Sequence, residues 1–281
     1  MAEIVAGIGI SHVPALTPFL VAQEGLDPAE RAEGAHAFFA AREWLAEQRP
    51  DVVVVIYNDH GADMSLALVP TFTIGAAEEY PPADEGAGVD TTIAPFPGDV
   101  DLSWHIIDDV VPAGFDLAVA QAMSVDHGLW TPMRALFGQG PSWPVKVVPI
   151  TVNVVQQPTP TAQRCFDLGK AIGASLRGYP EGTRIAVIGT GGMSHQLQGA
   201  RAGHINEEFD RSFLQRIVTA PQELADLTNA EYIHLAGSEG AELVMWLVMR
   251  GIMSTDVDEV LSGYHVPVSS TGAGVVAMTN R

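Results

Sequence analysis

The sequence predicts an α/β protein: one domain over residues 1–281, with a central, mostly parallel sheet flanked by helices. Three observations carry that expectation. Residues 52–57 (Val-Val-Val-Val-Ile-Tyr) are apolar without alternation, the pattern of a strand covered on both faces. A strand over 3–10, a helical stretch ending near 48 and this second strand form a βαβ unit, whose crossover makes the strands parallel. The composition, 47% hydrophobic and 17% charged, suits a sizeable core, and no repeat, linker or charge block divides the chain.

Taken in order, residues 3–10 end at Ser11-His12-Val13-Pro14, and Pro14 and Pro18 are expected to delay a helix. Asp27 as cap, Pro28 at the first position and Glu30 then open a helix to about Gln48. The valine strand stops at Asn58-Asp59-His60-Gly61. Another strand is expected within 65–74. The Gly-, Pro- and acid-rich stretch 75–98 is expected to be a lid or interface loop. A helix over 99–111 and a strand over 115–120 follow, the latter leading to Asp126-His127, and Thr131-Pro132 opens a helix to Phe137. A strand over 144–152, a helix over 161–176 and a strand over 184–188 come next, and the last runs into Gly189-Thr-Gly-Gly-Met-Ser-His195. Helices are expected near 205–218, 221–227 and 238–250, and β segments near 264–268 and 273–278.

Fourteen basic against 34 acidic residues give a net charge of −20, which repels phosphate backbones and anionic bilayers. Neither nucleic acid nor membrane is expected as a partner. A single cysteine, Cys165, excludes an internal disulfide framework and points to a reducing cytoplasm. The first residues lack the features of a signal peptide, so a soluble cytoplasmic protein is expected.

Of nine histidines, His12, His60, His127 and His195 each follow a predicted strand. Ligands collect beyond the carboxyl ends of strands in open α/β sheets, so the site is expected at that edge. Any one of the four could be structural, but four together argue for a shared site. His36 and His105 fall in predicted helices, where a surface or boundary role is the plainer reading. Two imidazoles and one carboxylate on one face are the donor set of non-haem Fe(II) oxygenases, and zinc can use the same donors. Asp59, Glu239 and Glu242 are the candidate carboxylates; Glu239 and Glu242 are three apart on a predicted helix, so periodicity does not separate them. Gly189-Thr-Gly-Gly lacks dinucleotide spacing and the phosphate-binding lysine, and no nucleophile elbow follows a strand. Cys165 is expected to be buried and inert.

Several stretches resemble the class III (LigB-type) extradiol ring-cleavage dioxygenases, above all the protocatechuate- and gallate-cleaving members. They are Ser-His12-Val-Pro-Ala-Leu, Tyr-Asn-Asp-His60, Pro-Ala-Asp-Glu-Gly (82–86), Asp-Leu-Ser-Trp-His (101–105) and Val-Asp-His127-Gly. Val-Asn-Val-Val (152–155), Gly-Thr-Gly-Gly-Met-Ser-His195-Gln-Leu-Gln-Gly, Gly-Ser-Glu-Gly-Ala-Glu242-Leu-Val-Met-Trp and Tyr-His-Val-Pro (264–267) extend the likeness over nearly the whole chain. The resemblance implies Fe(II) held by His12, His60 and Glu242, with O2 as co-substrate. It also implies that His195 is the acid/base residue, that His127 lies near substrate and oxygen, and that Ser269 contacts the substrate carboxylate. This chain has Ser270-Thr271 where the family more often has Asn-Thr, a departure that bears on the substrate and not on ring opening. Asn58 and Asp59 become the groups expected to orient His60.

An aromatic acid approaching so acidic a chain needs local polar or basic groups, for which Arg201, Ser269 and Ser270 are candidates. A small helical partner subunit, or a homo-oligomer, is expected to cover the site. Two other readings use the same residues: a metal-binding or regulatory protein of this fold without activity, and a zinc-dependent hydrolase.

Overall fold

Apolar runs without alternation become strands buried on both sides. The computed structural model describes residues 1–86, 93–138, 140–267 and 270–281. Its strands are β1 (Glu3–Ile10), β2 (Val52–Tyr57), β3 (Phe72–Gly75), β4 (Glu79–Tyr80), β5 (Phe96–Pro97), β6 (Ala118–Ala120), β7 (Lys146–Val152), β8 (Arg184–Thr190), β9 (Val257–His265) and β10 (Ala273–Asn280). β4 and β5 pair with each other, and the rest form one eight-stranded sheet in the order β6-β3-β7-β2-β8-β1-β10-β9. The four central strands β7, β2, β8 and β1 are mutually parallel.

The helices are α1 (Leu16–Val21), α2 (Glu33–Gln48), α3 (Val100–Val110), α4 (His127–Phe137), α5 (Ala162–Gly178), α6 (Glu207–Thr219), α7 (Pro221–Ala225), α8 (Asn229–Ala236) and α9 (Val244–Ile252). They cover both faces. Val52, Val54 and Ile56 of β2 join the core formed with α3, α5, α6 and α9, whereas Val53, Val55 and Tyr57 join the core formed with α1, α2 and α4. Two apolar layers, one on each side, are why the valines do not alternate with polar residues. Among the described residues no helix is long and apolar enough to cross a membrane.

Several boundaries differ from the sequence reading, each for a local reason. Pro18 does not delay a helix: it sits in the first turn of α1, where its missing N–H would have no intrahelical acceptor. Pro28–Glu30 is an isolated 3₁₀ turn, and α2 begins only at Glu33. Between them Arg31 is extended with its guanidinium 3.9 Å from the Phe39 ring centroid, and Gln23 takes the Ala32 N–H at 2.9 Å. The expected 65–74 strand shrinks to β3, because Ser65 takes the Ala67 N–H on its hydroxyl at 3.1 Å and the Leu68 N–H on its carbonyl at 3.0 Å, which turns the start of that stretch. β9 is longer than expected and starts at Val257, and α8, a helix not expected, carries a full capping box of Thr228 and Glu231.

The route to His127 also differs. β3 runs antiparallel to β7 and β6 parallel to β3, so β6 points away from the carboxyl edge of the central strands. His127 returns to that edge as the first residue of α4, which starts four residues before the expected Thr131 because Asp126 caps it. Pro132 lies inside this helix and removes one internal donor.

α9 is pressed unusually close to its neighbours. A Cβ on Gly169 of α5 would come within 2.1 Å of the Val248 carbonyl oxygen, and one on Gly251 within 2.3 Å of the Phe166 carbonyl oxygen. On the sheet side, a Cβ on Gly9 would meet the Trp246 ring at 2.2 Å. These obstacles are backbone or a buried ring, so a methyl group can be accepted only by displacing α9. Gly169→Ala is expected to destabilise the chain by about 1–3 kcal/mol in urea unfolding; an unchanged midpoint would mean that α5 and α9 separate freely.

Candidate metal centre

Three adjacent parallel strands end together. His12 lies just past β1, His60 just past β2, and β8 ends at Thr190 beside them. A 3₁₀ turn over Glu239–Leu243 leads into α9 and delivers Glu242 to the same place. His12 Nε2 is 3.0 Å from Glu242 Oε2, and His60 Nε2 is 3.8 Å from Glu242 Oε1. One donor atom from each residue lies within 4.8 Å of the others, so His12, His60 and Glu242 could hold a metal ion.

The outer side of each of these residues is fixed. Asp126 Oδ2 accepts from the His60 backbone N–H at 2.6 Å and from Nδ1 at 2.9 Å, which turns Nε2 towards Glu242. His12 Nδ1 lies 3.0 Å from Thr190 Oγ1. Glu242 Oε2 accepts the Gly192 N–H at 2.7 Å. Burial opposes charge on Glu242, but His12 and His60 outweigh it and hold the carboxyl well below its usual range. Burial lowers His12. Burial also opposes charge on His60, but hydrogen bonds and charge from Asp126 and Glu242 prevail and push it up to about 10. A carboxylate kept anionic and two imidazole nitrogens turned towards it suit a divalent cation, which would take the place of the His60 proton.

Two further histidines adjoin the group. His127 stacks on His60 with ring centroids 4.0 Å apart and lies 5.7 Å from His12. Its Nδ1 makes a short hydrogen bond to Glu85, whose other oxygen accepts the His127 backbone N–H at 2.8 Å and Trp130 Nε1 at 3.0 Å. Buried His195 donates Nδ1–H to the Met193 carbonyl at 2.7 Å. A carbonyl can only accept, so Nε2 of His195 carries the lone pair and can take a proton. His195 also borders Gly192, where a Cβ would touch its ring at 2.6 Å.

The remaining sequence candidates separate. Asn58 is buried with Nδ2 3.1 Å from His60 Nε2, and its Oδ1 finds no partner among the described residues. Asp59 spends its carboxylate on the 61–64 turn, and Asp126 is the carboxylate on the His60 ring. Glu239 accepts from Leu197 N–H and Ser238 Oγ, away from Glu242's partners. Arg201 is bound to the Ile233 and His234 carbonyls. Ser269 lies outside the described residues; Ser270 is exposed at φ 54° and donates its N–H to the Pro267 carbonyl. Of the 75–98 loop, residues 87–92 lie outside the description, while its near part supplies Glu85. Cys165 is fully buried, which pushes its thiol up. Sequence reasoning missed Asp126, Glu85 and Thr190 as supports. Asp126 was signalled by its capping position before His127; Glu85 falls in the Pro-Ala-Asp-Glu-Gly stretch of the family likeness, but nothing local names its partner, which lies 42 residues away.

Residues 6–277 match the family model described as the catalytic LigB subunit of aromatic ring-opening dioxygenase. Gallate dioxygenase of Pseudomonas putida is 42% identical over 199 residues, covering 71% of this chain and 58% of that protein. A 2,3-dihydroxyphenylpropionate/2,3-dihydroxicinnamic acid 1,2-dioxygenase of Mycolicibacterium vanbaalenii is 38% identical over 189 residues, covering 66% and 54%. A similarly named enzyme of Pseudomonas putida is 34% identical over 291 residues, covering 87% of this chain and 88% of that one. The chain therefore spans little more than half the length of the first two. The crystal structure of an uncharacterized Escherichia coli K12 protein shares the fold, with a TM-score of 0.62 and 14% identity over 97% of this chain and 99% of that one.

Asp126→Asn keeps a capping oxygen but not the charge on His60, so metal affinity should fall by about 10–100-fold. Because His60 is pushed up to about 10 without metal, it is protonated at neutral pH and must release that proton on binding an ion. Affinity should strengthen as pH rises towards that value. Titration calorimetry in buffers of different ionisation enthalpy reads the released proton, and none released would remove His60 from the ligand set.

Proposed function

The chain belongs to the LigB family of aromatic ring-opening dioxygenases, and on that premise we propose that it is an extradiol dioxygenase opening a catecholic aromatic acid such as protocatechuate or gallate. In this reading O2 is the co-substrate and the metal is Fe(II), held by His12, His60 and Glu242. The observation that carries it is the convergence of the two imidazoles on one buried, anionic carboxylate, with His127 and His195 beside it.

When bound, the ferrous ion supplies Lewis acidity to the diol oxygens and a one-electron couple for O2. The protein's own residues do the rest. His195, with its lone pair on Nε2, takes the proton of a substrate hydroxyl and later returns it. His127, stacked on His60 and held by Glu85, presents its free ring edge to the same space and orients the bound ring. Asn58 offers an unsatisfied amide oxygen at the margin of the metal group. Ser270, and Ser269 from the sequence resemblance, are the proposed contacts for the substrate carboxylate.

We also propose a cover for this face, either a small helical partner subunit or a second copy of the chain. Exposed Leu66 and Val155 share a cleft with His60, and exposed Leu197 lies beyond His195. Such side chains favour burial against a partner.

Anaerobic loading with Fe(II), followed by oxygen-electrode measurements on a panel of catechols, tests the reading. Uptake with iron and none with zinc is the expected outcome; no uptake with any catechol would sink it. His195→Ala should retain iron and lose about 10²–10⁴-fold in kcat.

A further inference from the structure

Asp210 on α6 is a fully buried carboxylate to which the ring-opening chemistry assigns no role. Its three donors are neutral: Ser194 N–H at 2.9 Å, Ser194 Oγ at 2.6 Å and the Tyr264 hydroxyl at 2.8 Å. Burial pushes its carboxyl up, against the pull of those donors. A buried carboxylate with no lysine or arginine partner among the described residues is costly, so its retention calls for a local reason.

Its partners supply one. Ser194 immediately precedes His195, and its hydroxyl is clamped from the other side by the Asn206 N–H at 2.7 Å, at the cap of the helix that carries Asp210. Tyr264 lies near the end of β9, from which the chain runs on to Ser270 and Gly272. Gly272 exchanges backbone hydrogen bonds with this same turn, accepting from Met193 at 2.9 Å and donating to Ser194 at 3.0 Å. It is glycine for want of room, because a Cβ would fall 2.6 Å from Asp210 Oδ2. Two residues on, Gly274 pairs with Ser11, the neighbour of His12.

We infer that Asp210 is a positioning residue: its carboxylate locks the turn carrying His195 to Tyr264, beside Gly272, so that the proton-transferring ring keeps one register beside His12. This rests on the reading of His195 as the base and adds the device that aims it. The lock is made of short bonds inside the core, so loosening one end is felt at the other.

Tyr264→Phe tests this directly, since it removes one hydroxyl from Asp210 and no atom from the His195 turn. Peptide-level hydrogen exchange should speed up about threefold or more over residues 191–196 as well as around position 264. Faster exchange confined to 262–266 would overturn the inference. Asp210→Asn, loaded with iron, should lose at least about tenfold in kcat while KM stays within roughly twofold and iron content is unchanged. Wild-type kcat in that variant would equally overturn it. If Asp210→Asn does not fold, Tyr264→Phe carries the kinetic test too. Should the unaltered protein take up no oxygen with any catechol, the ring-opening reading fails alone, and the exchange coupling still decides the role of Asp210.

Discussion

The structure depends on one buried carboxylate. Among the described residues Glu242 has no lysine or arginine against it; its charge is held by two imidazoles and one backbone N–H. Such an anion is tolerable only if every donor stays in place, and the fold is arranged to keep them there. β1 and β2 bring the imidazoles to one edge through a single crossover, β8 brings Thr190 and Gly192, and α9 is pinned by glycine contacts so that the turn before it cannot drift. Stability and site geometry are thus the same requirement seen from two sides.

The charge balance near the site differs from that of the chain as a whole. A net −20 would discourage the aromatic acid proposed as substrate, yet several carboxylates around the histidines have donors of their own. Asp126 serves His60, Glu85 serves His127 and Trp130, and Asp210 serves Ser194 and Tyr264. Hydrogen bonds from imidazoles, an indole and hydroxyls offset part of the charge on these carboxylates. The Coulomb cost of approach is set by what faces the cleft.

Much of this was legible in the sequence, and the rest failed for identifiable reasons. The valine run and its βαβ unit were readable because burial on both faces leaves a local pattern. The choice of Glu242 over Glu239 was not readable from spacing; it came from a family likeness, and the geometry now turns Glu242 to His12 and Glu239 to Leu197. Asp59 was favoured as the support of His60 because it is the next residue. Neighbours at a strand end point to opposite sides, however, and the carboxylate in place arrives from 66 residues away. The reversed direction of β3 and β6 left no trace in composition, so His127 reached the expected edge by an unexpected path.

The small β4–β5 ribbon has a consequence for engineering. It closes the base of the 75–98 stretch through Glu79–Tyr80 against Phe96–Pro97, with Gly98 N–H on the Glu78 carbonyl at 2.7 Å. Pro81 and Ala83 are separately stitched to Val125, so Glu85 is anchored from its own side. Loosening the ribbon at Phe96–Pro97 would therefore leave Glu85 held through Pro81 and Ala83, and His127 with its partner in place.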